Sequence, residues 1–273
     1  MGYYPELEKN KNAQANTALT HHSKKTFALL EADLPFNIRI DRNDKMFDIK
    51  SIGYDDFGGQ LTHQVSAHPK VDAKTGEFCA FGYELEGKGA GMIYYSLFNK
   101  ERKLLNKLEI PITNPRMIHD FGMTENHVII PDLPFEFDPE NAVRTGDFVF
   151  KYNKTAKSRY GIMKKLCQKT EQIKWFDLPN HYIFHYIGSW EDKNDSGDDI
   201  IIIWGCSLQS VSIDFYVEHP FYGQHIVDEI TKITLNLNTG ESTFNKFEPG
   251  FSGDFPVIPQ ELVGYKTRYC YIS

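Results

Sequence analysis

The chain has 273 residues, of which 41% are hydrophobic and 25% are charged, an ordinary balance for a soluble globular protein. The net charge of −7 offers no basic surface for nucleic acid or for an anionic membrane. No apolar run reaches the roughly 18 residues of a membrane span, and the 20 Phe and 15 Tyr favour strands over helices.

The chain begins with a polar stretch, residues 1–13, which lacks a signal-peptide pattern and is predicted to be a frayed tail. From residue 14 to residue 273, short strand-like runs recur about every ten residues, with turn residues between them. The runs are KTFALLEA, EFCAFGYEL, GMIYYSLF, HVIIPDL, DFVFKY, YIFHYIG, DIIIIWG and ITKITLNL. No Pro-, Ser- or Gly-rich linker divides them. The sequence therefore predicts one all-β domain over 14–273, built as a sandwich, a barrel or a propeller.

Turn residues predict two hairpins. In PKVDAKTGEFCAF, a charged turn containing Gly76 joins two strands, and in NLNTGEST the positive-φ positions are assigned to Asn238 and Gly240. Amphipathic helices are scarce, and SRYGIMKKLCQK, residues 158–169, is the nearest helical candidate.

Four cysteines are scattered without the Cys-x-x-Cys spacing of metal or redox sites. They are Cys79, Cys167, Cys206 and Cys270. This usage predicts reduced, mostly buried thiols in an intracellular protein. The predicted compartment is the cytoplasm, with a plastid or membrane-associated location as the alternatives if a targeting segment lies upstream.

Three of the ten histidines share a sequence context, a position at the edge of an apolar or strand-like run beside a turn. They are His68 in SAHPKVD, His119 in MIHDFGMT and His185 in IFHYIGSWED, 51 and 66 residues apart. These separations are close to the roughly 40–50 residues of a propeller blade with insertions. One histidine on the inner strand of each blade would converge on the propeller axis, where neutral imidazoles suit Zn, Cu, Fe or Ni. Spacing alone leaves an axial metal site and three structural histidines both open.

The sequence around these histidines resembles that of the carotenoid cleavage oxygenase family. The motifs are AHPKVDAKTGEFCAFGY, MIHDFGMTENHVIIPDLP and FHYIGSWED, with further matches in NTALTHHSKKTFALLEADLP and SGDFPVIPQELVGYKTRYCYIS. The family contains carotenoid and apocarotenoid dioxygenases, stilbene-cleaving oxygenases and the retinal isomerase of the visual cycle. The resemblance covers residues 14 to 273.

The resemblance implies a seven-bladed β-propeller with a non-haem Fe(II) on its axis, bound by four histidines, three of which have carboxylate partners. His68, His119 and His185 match the first three ligands. Glu31 matches the glutamate expected to orient His119. Asp254, the partner assigned to His185, stands where the family usually has glutamate and is one methylene shorter.

The reaction that the resemblance implies is the addition of O₂ across one double bond of a conjugated polyene or stilbene, giving two carbonyl products without an organic cofactor. Phe121, Phe184 and Trp190 flank ligand positions and are candidates to line an apolar substrate tunnel, with core packing as the competing interpretation. Lipid substrates also make peripheral membrane contact possible in this family. Asp120, beside His119, is expected to secure neighbouring backbone and not to bind metal.

The sequence also departs from the family pattern. It ends at RYCYIS, before the F-H-G motif that carries the fourth histidine, and Gly188 stands where the family typically has asparagine. Three hypotheses are open. The chain is an incomplete piece of an iron oxygenase; or it is a truncated, inactive member that acts as a binding protein or completes its ring with a partner chain; or it is an unrelated all-β binding module with structural histidines.

Overall fold

The computed structural model describes residues 15–31, 33–42, 46–85, 91–146, 148–208, 229–247 and 252–273. The predicted polar tail, residues 1–13, lies outside the described residues. The described part consists mainly of β-strands, with one short α-helix, α1 (Pro139–Thr145). Most of these strands form four antiparallel sheets of four strands each, here called sheets I to IV.

The four sheets follow one another along the chain. Sheet I contains β1 (Ala18–His22), β2 (Lys25–Leu29), β3 (Phe36–Arg42) and β4 (Phe47–Tyr54). Sheet II contains β5 (Lys70–Val71), β6 (Phe78–Glu84), β7 (Gly91–Phe98) and β8 (Leu104–Ile112). Sheet III contains β9 (Gly122–Met123), β10 (His127–Asp132), β13 (Ser158–Lys164) and β14 (Lys174–Leu178), and β11 (Phe135–Phe137) pairs with β12 (Phe150–Tyr152) beside it. Sheet IV contains β15 (Tyr182–Lys193), β16 (Asp199–Leu208), β17 (Glu229–Asn236) and β18 (Ser242–Lys246).

Burial along each strand follows its position in the sheet. In β8, buried Leu108, Ile110 and Ile112 alternate with exposed Lys107 and Glu109, the period of two expected for a strand with one covered face. The interior strands β6 and β10 are buried almost throughout. Neighbouring sheets therefore cover both faces of these interior strands.

Three hydrophobic clusters lie between consecutive sheets. Sheets I and II share a cluster that includes Phe27, Leu29, Phe78 and Phe98. Sheets II and III share one that includes Phe81, Tyr95, Val128 and Met163. Sheets III and IV share one that includes Ile129, Tyr160, Ile201 and Ile233. Successive four-stranded sheets packed face to face in this way form a partial β-propeller, which confirms the predicted fold class.

Sheet I packs against sheet II through one face only. Phe27 lies on that face, whereas Ile40, Phe47 and Ile49 lie on the opposite face, with Ile40 paired directly with Ile49. These three side chains are 47%, 67% and 65% exposed. Within the described part of the chain, this apolar face of sheet I has no covering element.

Both predicted hairpins are present. Gly76 (φ 73°) lies in the turn between β5 and β6, and Gly240 (φ 83°) lies in the turn between β17 and β18. The prediction of a positive φ at Asn238 was wrong. Its side chain accepts a hydrogen bond from the N–H of Asp199 at 2.7 Å, and this bond stabilises the turn by linking it to the first residue of β16.

The helix predicted over residues 158–169 was wrong, because Ser158–Lys164 forms β13 between β10 and β14 and is buried on both faces. The helix that does form, α1, has no buried residue and hence no apolar periodicity to detect. The residues that cap its two ends are the sequence feature that indicates this helix. Asp138 accepts the N–H of Asn141 at 3.0 Å, and Gly146 (φ 79°) ends the helix.

The four cysteines are free thiols, as predicted; Cys79, Cys167 and Cys206 are buried and Cys270 is partly exposed. Among the described residues, no helix has the length and apolar character needed to cross a membrane. The cytoplasmic location and the peripheral membrane contact stay predictions.

Candidate metal centre

The three histidines singled out by spacing lie at the inner edges of three successive sheets. His68 is two residues before β5, His119 is three residues before β9, and His185 lies within β15. The expectation that His119 sits on an inner strand was wrong in detail, because it lies in the extended segment that leads into β9. At His185 the register between β15 and β16 shifts, between Ile183 and Tyr186, and this bulge lies where the ligand candidate projects.

The imidazole rings converge through one nitrogen each. The Nε2 atoms of His68 and His119 are 3.0 Å apart, and those of His119 and His185 are 3.2 Å apart. One ligand atom from each of the three residues lies within 4.8 Å of the others. Separations of this size are expected between nitrogen ligands that share one first-row metal ion at about 2.1 Å.

Two of the rings are held from behind by carboxylates. Nδ1 of His119 is 2.9 Å from Oε2 of Glu31, and Nδ1 of His185 is 2.9 Å from both carboxylate oxygens of Asp254. Asp254 therefore reaches His185 directly, although it is shorter than glutamate. These contacts assign the ring protons to Nδ1, so that the Nε2 lone pairs of both rings face the centre.

The electrostatics of the cluster suit a cation. Burial lowers the pKa of His68 to about 4, so that this ring is neutral at neutral pH. Burial, the largest single influence, would raise the pKa of Glu31, but the combined interactions with His119 and Tyr83 outweigh it and the pKa is lowered. The pKa of Asp254 is likewise lowered against burial, by the interaction with His185 together with the backbone N–H of Phe255 and the thiol of Cys206. The pKa of His119 is raised, because its contacts with Glu31 and the charges of nearby carboxylates outweigh the effect of burial. Three imidazole nitrogens backed by two carboxylates of lowered pKa form a donor set that a divalent ion fits, since the ion takes the place of any proton on Nε2.

Tyr83 supports His119 indirectly, through Glu31. This buried residue of β6 donates a hydrogen bond from its hydroxyl to Oε1 of Glu31 at 2.6 Å. Sequence reasoning missed it, because Tyr83 is one of many aromatic strand residues and its partner lies 52 positions away.

Asp120 does what was expected of it. Its carboxylate accepts the backbone N–H groups of Phe121 and Tyr186, at 2.7 and 3.0 Å, and therefore secures neighbouring backbone. It is not part of the converging group of three histidines.

The aromatic residues near the site divide into two groups. The ring of Phe184 is 5.6 Å from that of His119, edge-on, and the ring of Phe255 is 5.1 Å from that of His185. Phe255 is 68% exposed and was not found by sequence reasoning, although it directly follows Asp254. Trp190 packs instead with Ile200 and Ile202 in a separate cluster, so the structure does not bring it to the histidines.

A cavity of about 330 Å³ lies beside His68. It lies between the inner strands β5, β9 and β15 and the segment 256–264, and both His68 and Phe121 line it. Phe121 is fully buried and stacks on Phe81 with ring centroids 4.9 Å apart. Gly188 also borders the cavity, and a Cβ there would come no closer than 3.4 Å to Ile258.

Comparison with known proteins gives a consistent set of relatives. Residues 2–273 match the family model described as retinal pigment epithelial membrane protein. The chain is 34% identical over 260 residues to carotenoid 9,10(9′,10′)-cleavage dioxygenase 1 of Pisum sativum, covering 94% of this chain and 46% of that protein. It is 32% identical over 259 residues to a chloroplastic 9-cis-epoxycarotenoid dioxygenase of Arabidopsis thaliana, covering 95% and 43%.

The structural comparison agrees on the fold. The crystal structure of Pseudomonas brassicacearum lignostilbene dioxygenase superposes with a TM-score of 0.79 at 21% identity, covering 96% of this chain and 53% of that one. The chain thus spans about half the length of the relatives that it matches.

Proposed function

The chain belongs to the retinal pigment epithelial membrane protein family, the carotenoid cleavage oxygenases, and from that premise we propose that it carries the metal centre of an Fe(II)-dependent dioxygenase. The proposed reaction is cleavage of one double bond of a conjugated polyene or stilbene-like substrate by O₂. The convergence of three Nε2 atoms, two of them 3.0 and 3.2 Å from the third, carries this proposal. Membership of the family excludes the hypothesis of an unrelated all-β module.

His68, His119 and His185 are the proposed metal ligands. Each presents Nε2 to the same point, and imidazole is a good ligand for iron among the first-row metals. Bound Fe(II) would supply the one-electron chemistry that allows O₂ to react with a closed-shell alkene. The preference for Fe(II) over other metals is supported by the family resemblance, with a fourth histidine expected from the F-H-G motif of the complete family pattern.

Glu31 and Asp254 are the proposed partners of the ligands. By accepting the Nδ1 protons of His119 and His185 at 2.9 Å, they fix the tautomer and the rotation of each ring. Their negative charge also offsets the charge of a divalent ion in a partly buried site. An apolar replacement at either position would remove the acceptor and leave the ring free to rotate away from the centre.

Phe184 and Phe255 are the proposed substrate contacts. Their rings flank the ligands His119 and His185, and apolar, flat surfaces of this kind suit a conjugated hydrocarbon. The names of these relatives refer to carotenoids, epoxycarotenoids and a lignostilbene, compounds that share a conjugated carbon–carbon double bond. For Phe121 we propose a place in the wall of the neighbouring cavity, and for Trp190 packing alone.

The competing hypothesis is a family member without oxygenase activity, which acts as a binding protein or completes its ring with another chain. It is kept because the chain spans about half of its relatives and contributes three histidines where the family pattern has four. The two hypotheses share the metal site and differ in whether O₂ is consumed.

The test is anaerobic Fe(II) titration of the purified chain, with iron quantified per protein, for the wild type, His119→Ala and His127→Ala. His127 is a matched control, because it also places Nδ1 2.8 Å from a carboxylate, that of Glu191, but does not join the cluster. We expect about one iron per chain in the wild type and in His127→Ala, and none in His119→Ala.

O₂ consumption with an apocarotenoid and a stilbene then separates the remaining hypotheses. Iron binding with substrate-dependent O₂ uptake supports the oxygenase and refutes the inactive family member, and iron binding without uptake refutes oxygenase activity of the 273-residue chain by itself. A well-folded wild-type chain that binds no iron would refute the proposed metal centre.

A further inference from the structure

We infer that Asp120 is a positioning residue for the metal centre: its single buried carboxylate ties together the three chain segments that carry His68, His119 and His185. The inference rests on the proposed metal site and concerns how the backbone, not the rings, is held. Asp120 is 3% exposed, and it reaches all three segments.

The contacts of Asp120 lie beside each ligand in sequence. Oδ1 accepts a hydrogen bond from Nζ of Lys70 at 2.6 Å, and Lys70 is two residues after His68. Oδ2 accepts the N–H of Tyr186 at 3.0 Å, and Tyr186 directly follows His185. Asp120 itself directly follows His119, and its Oδ1 also accepts the N–H of Phe121 at 2.7 Å.

The direction of the side chain explains how this is possible. Successive side chains of an extended segment point to opposite sides, so Asp120 points away from the centre towards which His119 points. The carboxylate thus lies behind the ligands, between the inner edges of sheets II, III and IV. From that place it can set the separation of the three segments without approaching the ion.

Other residues near the site each contact fewer of the three ligand segments than Asp120 does. Glu31 and Asp254 each contact one ring. The hydroxyl of Ser66 donates to the carbonyl of His119 and accepts the N–H of His68 at 3.2 Å, which joins two segments and leaves that of His185 outside. The hydroxyl of Tyr182 donates to the carbonyl of Met117 at 3.0 Å, which joins the His185 segment to that of His119 and leaves that of His68 outside. Among these side chains, Asp120 is the one that contacts all three segments.

The ionised form of Asp120 is required for this role. An ionised carboxylate has only acceptors, which matches three N–H donors converging from three directions. Asparagine has almost the same shape, but its NH₂ group would face either the ammonium group of Lys70 or the N–H of Tyr186. Asp120→Asn therefore breaks at least one tie while it preserves side-chain volume.

The matched control is Asp132→Asn. Asp132 is equally buried, in β10 of sheet III, and pairs with Arg116 at 3.0 Å and Arg159 at 2.6 Å, neither of which lies within two residues of a proposed ligand. Both variants remove the charge of one buried carboxylate, which has one cationic partner at Asp120 and two at Asp132. A purely structural role therefore predicts an effect of Asp132→Asn on the metal site at least as large as that of Asp120→Asn.

The experiment measures Co(II) and Fe(II) affinity of the folded chains by calorimetry and by the visible absorption of bound Co(II). We expect Asp120→Asn to weaken metal binding by about tenfold or more, with an altered Co(II) spectrum, and Asp132→Asn to stay within about twofold of the wild type. Equal losses in both variants, or an unchanged affinity in folded Asp120→Asn, would overturn the inference.

A second variant covers the case in which Asp120→Asn fails to fold. Lys70→Met/Asp120→Asn removes both charges of the pair, so no lysine is left buried without its partner. We expect this double variant to fold more readily and still to bind metal about tenfold more weakly. Wild-type affinity in the double variant would overturn the inference.

A readout on the metal-free chain separates this inference from the proposed function. Ring ¹⁵N–¹H signals of the three histidines should show one conformation each in the wild type and in Asp132→Asn, and should broaden or split in Asp120→Asn. If the wild type binds no metal, the proposed function fails while this comparison still decides the role of Asp120. Unchanged ring signals in folded Asp120→Asn would count against it.

Discussion

Removing the hydroxyl of Tyr83 tests whether the support of His119 extends beyond Glu31. Tyr83→Phe preserves the ring and deletes a hydrogen bond of 2.6 Å to a carboxylate. A hydrogen bond to a charged group contributes about 1.5–3 kcal/mol, and the side chain of Glu31 is only 17% exposed, so water replaces the lost donor poorly. We therefore expect the free energy of unfolding to fall by about 2 kcal/mol.

The same substitution should also affect the metal centre. Without the hydroxyl of Tyr83, the pKa of Glu31 rises and its negative charge is less strongly maintained. Its hydrogen bond with Nδ1 of His119 weakens as a result. Removal of an outer partner such as Glu31 itself is expected to weaken metal binding about 10–100-fold. Tyr83 is one contact further away, so a smaller loss, about threefold, is expected for Tyr83→Phe.

The control is Tyr95→Phe, which deletes a hydrogen bond of 2.9 Å from an equally buried tyrosine to the carbonyl of Lys165. A neutral hydrogen bond contributes about 1 kcal/mol, and metal affinity should not change. Urea unfolding of the metal-free chains and Fe(II) titration of the folded ones give both quantities. Equal stability losses in the two variants, with equal metal affinity, would refute the proposed link from Tyr83 through Glu31 to His119.

Three further outcomes are expected. Burial lowers the pKa of His181 to about 4, below the value of about 6.5 expected in the unfolded chain. The contribution of the neutral ring to the free energy of unfolding is therefore fully present above pH 6.5, and up to about 3 kcal/mol of it is lost as the pH falls towards 4. His181→Gln should flatten the dependence of the urea midpoint on pH in this window, and an unchanged slope would show that other groups cause it. Gly82→Ala would place a Cβ 1.9 Å from the carbonyl oxygen of Gln64, so the free energy of unfolding should fall by about 3 kcal/mol or more. In the control Gly197→Ala, the new Cβ meets open space but φ is +85°, so the free energy of unfolding should fall by only about 1 kcal/mol. Similar urea midpoints for the two variants would contradict the close contact at Gly82. Phe255→Ala should raise KM for an apocarotenoid several-fold while iron stoichiometry stays the same, and loss of iron would mean that Phe255 supports the ligands instead of the substrate.

The ligand histidines could be predicted from sequence because the information about them is local. His68, His119 and His185 each stand in a short motif, and the spacing of the motifs matches successive sheets. The carboxylates behind the rings required the family resemblance, since nothing near Glu31 or Asp254 in sequence indicates a histidine partner. That Asp254 is long enough to reach His185 depends on the path of the segment after residue 252, which sequence does not encode locally.

The contacts that sequence could not supply join residues far apart in the chain. Asp120 was expected to secure backbone, but its bond to Tyr186 spans 66 positions. Helix α1 was missed because its stability comes from its caps and not from an apolar face. The segment 158–164 was assigned the wrong structure because pairing on both edges, with β10 and β14, overrides its weak helical pattern.

The arrangement of the hydrophobic clusters has a consequence for how the molecule unfolds. Sheets II and III each share one cluster with the sheet before and one with the sheet after, whereas the outer face of sheet I, with Ile40, Phe47 and Ile49, has no such neighbour in the described part. Cooperativity in such a row passes between adjacent units, so amide protons of sheet I should exchange with solvent before those of sheets II and III. The histidines come from sheets II, III and IV, and an ion bound between them would act as a cross-link across three units of the row. Its binding should slow exchange in all three sheets together and leave sheet I the first to open.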